Sequence, residues 1–88
     1  MRSRYAQVYM WVLRELNDIG ITLDGRTLTA RARDDLKQYL DPSVDEVVSL
    51  FAGLVAFGVQ FVAEDADAAA RFAAHPVFGR LGKMGVQT

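Results

Sequence analysis

The chain has 88 residues, of which 51% are hydrophobic and 24% are charged, and its formal net charge is −1. This composition indicates one small globular domain and excludes a disordered chain. The sequence holds no cysteine and one histidine, which excludes disulfides, thiolate metal sites and a multi-histidine metal site within one chain. A domain of this length hides only about 60–65% of the surface that its unfolded form exposes, so a partner would add to its stability.

The first predicted helix covers residues 3–19. At about 100° per residue its apolar side chains form one broad stripe, and Gly20 is the predicted C-terminal stop. Trp11 falls in the middle of the opposite, polar face. Two interpretations remain open: Trp11 is an exposed anchor for a partner, or another part of the chain covers it.

The segment that follows, residues 21–28, carries Asp24-Gly25 between β-branched residues. This pair is the usual signal for a tight two-residue hairpin, although the flanking runs are very short. A short hairpin and a polar loop are both compatible with the segment. A second helix is predicted over residues 29–40, with Lys37 near its end.

The third predicted helix has the clearest start, because Ser43 and Glu46 have the spacing of a capping box. We expect it to continue to residue 63 or 64 and to be the central hydrophobic helix. Its apolar side chains would cover about 200° of the helix surface, whereas a surface helix needs about half of that. The remaining strip is small or polar, so that another helix could approach closely; it holds Asp45, Ser49, Ala52, Gly53, Ala56, Gln60 and Ala63.

The same segment contains the longest apolar run, residues 47–63, which lies at the short limit for a bilayer span. Acidic residues flank this run, and no cluster of lysine or arginine marks an inner face. We therefore expect a buried helix and no membrane span. The apolar N-terminal stretch has no signal-peptide cleavage site, and we expect a cytoplasmic location.

A fourth helix is predicted to begin at Asp65 or Asp67 and to end near His75, because Pro76 disfavours helical geometry there. A short helical turn could restart at Pro76. The fold class expected from these elements is all-α, with four helices in one domain over residues 1–78. Residues 79–88, which contain Gly79, Gly82 and Gly85, are expected to form a flexible tail.

Catalytic chemistry has no clear support in the sequence. His75 lacks a nucleophile in a recognisable motif, and the acidic pairs are sequence neighbours that point in different directions on a helix. We predict no catalytic, cofactor-binding or metal-binding residue, and the chain is expected not to be an enzyme. No motif is specific enough to indicate a family.

The leading prediction is a non-catalytic helical protein–protein interaction module, such as an adaptor, an inhibitor or a small subunit. Because three short helices cover the wide apolar surface of the third one poorly, we expect the chain to form a homodimer, and a larger protein is a second candidate partner. The predicted contact residues are aromatic anchors with two rim charges: Trp11, Tyr5, Tyr9, Phe51, Phe57, Arg4 and Arg14.

Two alternatives stay open. A small DNA-binding transcriptional regulator could act as a dimer through a basic stripe at the second helix, formed by Arg26, Arg31, Arg33 and Lys37. Asp34 and Asp35 oppose this interpretation, because they would repel phosphates, and the net charge does not favour it. The third interpretation is a small apolar ligand bound in a pocket beside the third helix.

Overall fold

The computed structural model of the protein describes residues 3–36, 41–81 and 86–87. Short strands are interspersed among the helices along this part of the chain. In order, the elements are α1 (Arg4–Ile19), β1 (Ile21–Leu23), α2 (Ala30–Asp35), α3 (Val44–Ala56), β2 (Phe61–Ala63), α4 (Ala66–Ala74), a 3-10 helix (Phe78–Arg80) and β3 (Val86–Gln87).

The predicted all-α class is wrong, because a small mixed sheet joins the helices. β1 runs antiparallel to β2, with Ile21 opposite Ala63 and Leu23 opposite Phe61. β3 lies on the other side of β2 and runs parallel to it, with Val86 opposite Phe61. β2 is therefore the middle strand, and the sheet connects segments that lie far apart in the sequence.

The third helix ends at Ala56, and its predicted extension to residue 63 is wrong. Gly58 adopts a left-handed conformation with φ of +79°, which is where helices commonly stop. The N–H of Gly58 donates to the carbonyl of Val55, and the N–H of Val59 donates to the carbonyl of Leu54, both at 3.0 Å. These two bonds form a Schellman motif, after which the chain is extended and joins the sheet as β2.

The tight turn expected after α1 is present, but the hairpin is not. Asp24 and Gly25 both have positive φ, and the N–H of Arg26 donates to the carbonyl of Leu23 at 2.9 Å. Only one isolated bridge, between Leu23 and Arg26, continues the turn. β1 instead pairs with β2, where Phe61 and Ala63 complete a buried face that residues 26–28 could not supply.

Other helix boundaries agree with local signals. Gly20 ends α1 with φ of +104°, as the sequence predicted, and of the two predicted caps for α4, Asp65 and Asp67, the structure uses Asp65. α2 begins after Thr29 and ends at Asp35; the rest of the predicted second helix, residues 37–40, lies outside the described residues. The division between a domain at 1–78 and a tail at 79–88 stays a prediction.

One apolar core holds these elements together. The ring of Phe51 stacks on that of Phe61 with centroids 4.9 Å apart, and Phe72 stacks on Phe78 at 5.2 Å. Together these rings bring α3, β2, α4 and the 3-10 helix into a single cluster with α1. None of the described helices has both the length and the apolar character that a bilayer span requires.

Candidate interaction surface

The solvent side of α3 is apolar, which is unusual for an exposed helix. We call this surface the α3 outer face; it consists of Val48, Ser49, Ala52, Val55 and Ala56, all exposed. The opposite side of α3 packs into the core. No charged residue occurs in α3 after Glu46. A helix that is largely apolar on both its core side and its solvent side is normally buried, so the α3 outer face has the character of a contact surface.

Phe57 follows directly at the C-terminal end of α3. Its side chain is 89% exposed, more than that of any other large apolar residue in the described part of the chain. The Schellman motif around Gly58 fixes the backbone here, so Phe57 is held in the last turn while the chain bends back towards the core. An exposed aromatic side chain at a fixed backbone position is typical of a binding anchor.

A groove of about 370 Å³ lies between α1 and α3, beside the N-terminal end of the α3 outer face. Its floor includes the buried side chains of Val8 and Leu50, and Tyr5, which is 65% exposed, stands on its rim. The complete lining is Arg4, Tyr5, Val8, Asp45, Glu46, Ser49 and Leu50. An apolar floor with polar ends suits an apolar side chain from a partner.

An ion pair closes one end of this groove. Arg4 Nε donates to Glu46 Oε2 at 2.6 Å, and Arg4 Nη2 donates to Glu46 Oε1 at 2.9 Å. The hydrogen bonds from Arg4, and next the one from the Ser43 N–H, lower the pKa of Glu46 from 4.5 to about 2, and the bond to Glu46 raises the pKa of Arg4. The pair joins the first turns of α1 and α3 at this end of the groove.

Two of the predicted aromatic anchors lie in the core. Phe51 is fully buried, and Trp11 is only 8% exposed. The Trp11 ring packs edge-on against His75 and Phe78, and its Nε1 donates to Asp41 Oδ1 at 3.2 Å. The segment after α4 therefore covers the polar face of α1 on which Trp11 lies, and Trp11 and Phe51 cannot contact a partner of the folded chain.

The other predicted contact residues divide into two groups. Arg4 and Tyr5 are exposed residues of α1 that line the groove, and Phe57 is exposed directly after α3. Tyr9 is half-buried against the core, and Arg14 lies beside α2 with its Nη2 3.7 Å from Glu15 Oε1. The sequence missed the groove itself, because only the packing of α1 on α3 creates it.

Of the basic residues proposed for nucleic acid, the described ones lie among acidic neighbours. Arg26 and Arg31 are exposed, but Arg33 is paired with Asp18 of α1. Asp34 and Asp35 are exposed on the same six-residue helix, α2, and Lys37 lies outside the described residues. Alternating charge of this kind weakens the attraction to a phosphate backbone.

His75 has a structural role in the described part of the chain. Its Nδ1 accepts hydrogen bonds from the N–H groups of Val77 and Phe78, at 3.0 and 3.2 Å, and so caps the turn that leads into the 3-10 helix. Its Nε2 lies 3.8 Å from Glu15 Oε1. Among the described residues no cluster of three histidine or acidic side chains could hold a metal ion.

Comparison with known proteins adds no assignment: no protein-family model, curated protein or solved structure matches this chain significantly. The α3 outer face, Phe57 and the groove are therefore the features of the molecule that indicate a function.

Proposed function

We propose that this protein is a non-catalytic interaction module that pairs with a second copy of itself through the α3 outer face. The observation that carries the proposal is the uncharged exposed surface of α3 after its first turn, which is followed by the exposed ring of Phe57. Burying apolar surface stabilises a complex by about 25 cal/mol per Å². A monomer would leave this face in water, whereas pairing removes it from water on both copies at once.

A second copy fits this face better than an unrelated partner for two reasons. A twofold interface must be complementary to itself, and the valine, alanine and serine side chains of the α3 outer face carry no charge that would repel their own copy, while the exposed Asp45 lies at the N-terminal edge of this face. Ala52 and Ala56 are also small, which lets two helix axes approach closely. We also propose the cytoplasm as the location of this dimer.

Light scattering and sedimentation equilibrium, from micromolar to millimolar concentration, test the proposal. The wild type should reach the mass of two chains at the upper end. Ala52→Glu places a charge at the centre of the α3 outer face and should give a single-chain mass with an unchanged helical circular dichroism spectrum. Ala70→Glu, the same change at an exposed alanine of α4, is the matched control and should still dimerise.

Two results would overturn the proposal. The first is a single-chain mass for the wild type at every concentration, as expected if only a larger protein binds this face. The second is a dimer that tolerates Ala52→Glu as well as it tolerates Ala70→Glu, because the interface would then lie elsewhere.

A further inference from the structure

From the spacing of the exposed residues of α3 we infer that Asp45 determines how the two copies meet. Their α3 helices pack along one narrow seam and run antiparallel, because Asp45 excludes the parallel arrangement. This inference rests on the proposed self-association. It gives the exposed Asp45, which has no role in the folded monomer beyond its place in the first helical turn, a role in the specificity of the interface.

The seam consists of exposed residues of α3 that follow one another at spacings of three, four and three: Asp45, Val48, Ala52 and Val55. Apolar residues at alternating spacings of three and four pack two helices against each other in a coiled coil. At about 100° per residue, the four positions cover about 80° of the helix surface. The seam therefore has the width and the spacing of a contact with one other helix.

The seam and the groove lie on different sides of α3. At about 100° per residue, Val48 and Val55 are within about 60° of Ala52 around the helix. Leu50, on the floor of the groove, is about 160° from Ala52, and Phe57 is about 140° from it. A pair of α3 helices that packs along the seam therefore leaves the groove and the Phe57 ring outside the contact.

The distribution of charge selects the antiparallel orientation. Glu46 is held on the groove side by Arg4, whereas the carboxylate of Asp45 lies at the N-terminal end of the seam, and residues 47–63 carry no charge. In a parallel pair each Asp45 would pack against its own counterpart, so two like charges would meet as they leave water. Parallel packing would also place the two helix dipoles side by side in the same direction.

An antiparallel pair removes this repulsion and keeps the apolar contacts. Val48 of each copy then lies opposite Val55 of the other, with the small Ala52 side chains between them. At about 1.5 Å per residue, Asp45 reaches the level of Gly58 of the other copy, beyond the end of its α3, and lies about 20 Å from its own counterpart. Gly58 is exposed and has open space around it, so each carboxylate stays in water.

Single cysteines test the orientation, because the native chain has none. Under mild oxidation Val48→Cys and Val55→Cys should each stay uncrosslinked alone, because equal positions lie about 10 Å apart along an antiparallel pair and a disulfide needs Cα atoms within about 7 Å. When the two variants are mixed, one of them isotope-labelled, mass spectrometry should detect the mixed disulfide. Self-crosslinking of both variants without a mixed disulfide would indicate parallel helices and overturn the inference.

The role of Asp45 has its own test in the Val48→Cys background. Asp45→Asn should raise self-crosslinking about fivefold, the factor that corresponds to the repulsion of two carboxylates about 4 Å apart in water. Asp67→Asn is the matched control and should leave the yield unchanged, because Asp67 is exposed and occupies the same position of α4, two residues after the N-cap. Equal yields for the two changes would show that Asp45 does not set the orientation.

Other outcomes would refute the self-association through α3 instead. A wild type that stays monomeric would do so, and so would a dimer in which cysteines at positions 48 and 55 crosslink neither alone nor in the mixture. Parallel crosslinks, in contrast, would leave the α3 outer face as the interface and refute only the orientation.

Discussion

Arg4 and Glu46 are 42 residues apart in the sequence and form a two-bond ion pair that joins the N-termini of α1 and α3. The same Glu46 carboxylate accepts a hydrogen bond from the N–H of Ser43, whose hydroxyl in turn accepts from the N–H of Glu46. One side chain therefore caps its own helix and positions the neighbouring helix. This relationship has a consequence for the response of the fold to acid.

The free energy of unfolding should fall in acid because of Glu46. The pKa of this carboxyl is about 2 in the folded chain, whereas an unperturbed glutamate has a pKa of 4.5, so the unfolded chain binds the proton more readily. The stabilisation is fully present above pH 4.5 and is lost as the pH falls towards 2. Urea unfolding of wild type and Glu46→Gln should give a difference in unfolding free energy that shrinks through this range. A difference that stays constant would contradict the prediction.

Replacing Gly53 in α3 and Gly58 just after it by alanine should change the stability of the fold in opposite directions. Gly58 has positive φ, so Gly58→Ala should destabilise the fold by about 1 kcal/mol even though its Cβ would meet open space. Gly53 lies in the helix interior, and Gly53→Ala should stabilise the fold by about 0.5–1 kcal/mol. Thermal unfolding at concentrations that keep the chain monomeric measures both. Equal effects of the two changes would mean that α3 does not end at this motif.

Two phenylalanines, one in α3 and one at its end, should differ in their effect on the stability of the fold. Phe51→Ala removes a fully buried ring that stacks on Phe61 and should cost about 3–5 kcal/mol of unfolding free energy. Phe57→Ala should change the stability of the monomer by less than about 0.5 kcal/mol, because its ring is in water. Urea unfolding at low concentration gives both values. A large loss for Phe57→Ala would place its ring in the core instead.

Trp11 reports on the segment that covers it. It is the only tryptophan in the chain, and its fluorescence should be blue-shifted and protected from iodide in the folded monomer. His75→Ala removes the acceptor for two backbone N–H groups and a ring against Trp11, so it should cost about 1–3 kcal/mol and raise iodide quenching.

His75→Asn is the conservative control for this test, because asparagine side chains also accept hydrogen bonds from backbone N–H groups in turns. It should lose less stability than His75→Ala. Ready quenching of Trp11 in the wild-type monomer would show that the ring is exposed and that the covering segment is not in place.

Much of the helical structure could be predicted from the sequence, because helix ends are decided by a few neighbouring residues. Ser43 and Glu46 form the expected capping box, Asp65 caps α4, and Gly20 ends α1. Gly58 carried the same kind of signal as Gly20. The sequence interpretation passed over it because the apolar pattern continues on both sides, and helix and strand periodicity are hard to separate in a run that is apolar throughout.

The candidate site was predicted only in part. The small and polar strip with Ala52 and Ala56 is exposed, and Phe57 is exposed as well. Burial of Trp11, however, depends on residues 75–78, more than sixty positions further along the chain. A helical wheel shows which side of a helix is polar, but it cannot show which distant segment covers that side.

The sequence by itself determined where the helices start and where α1 stops, since each cap or glycine stop acts through hydrogen bonds within about four residues. Only the tertiary structure decided that the apolar run is split between α3 and β2, that β1 pairs with β2, and that a groove opens beside Tyr5. The pairing of β1 with β2, for example, joins segments some 40 residues apart in the sequence. Local propensity does not specify which distant segments come into contact.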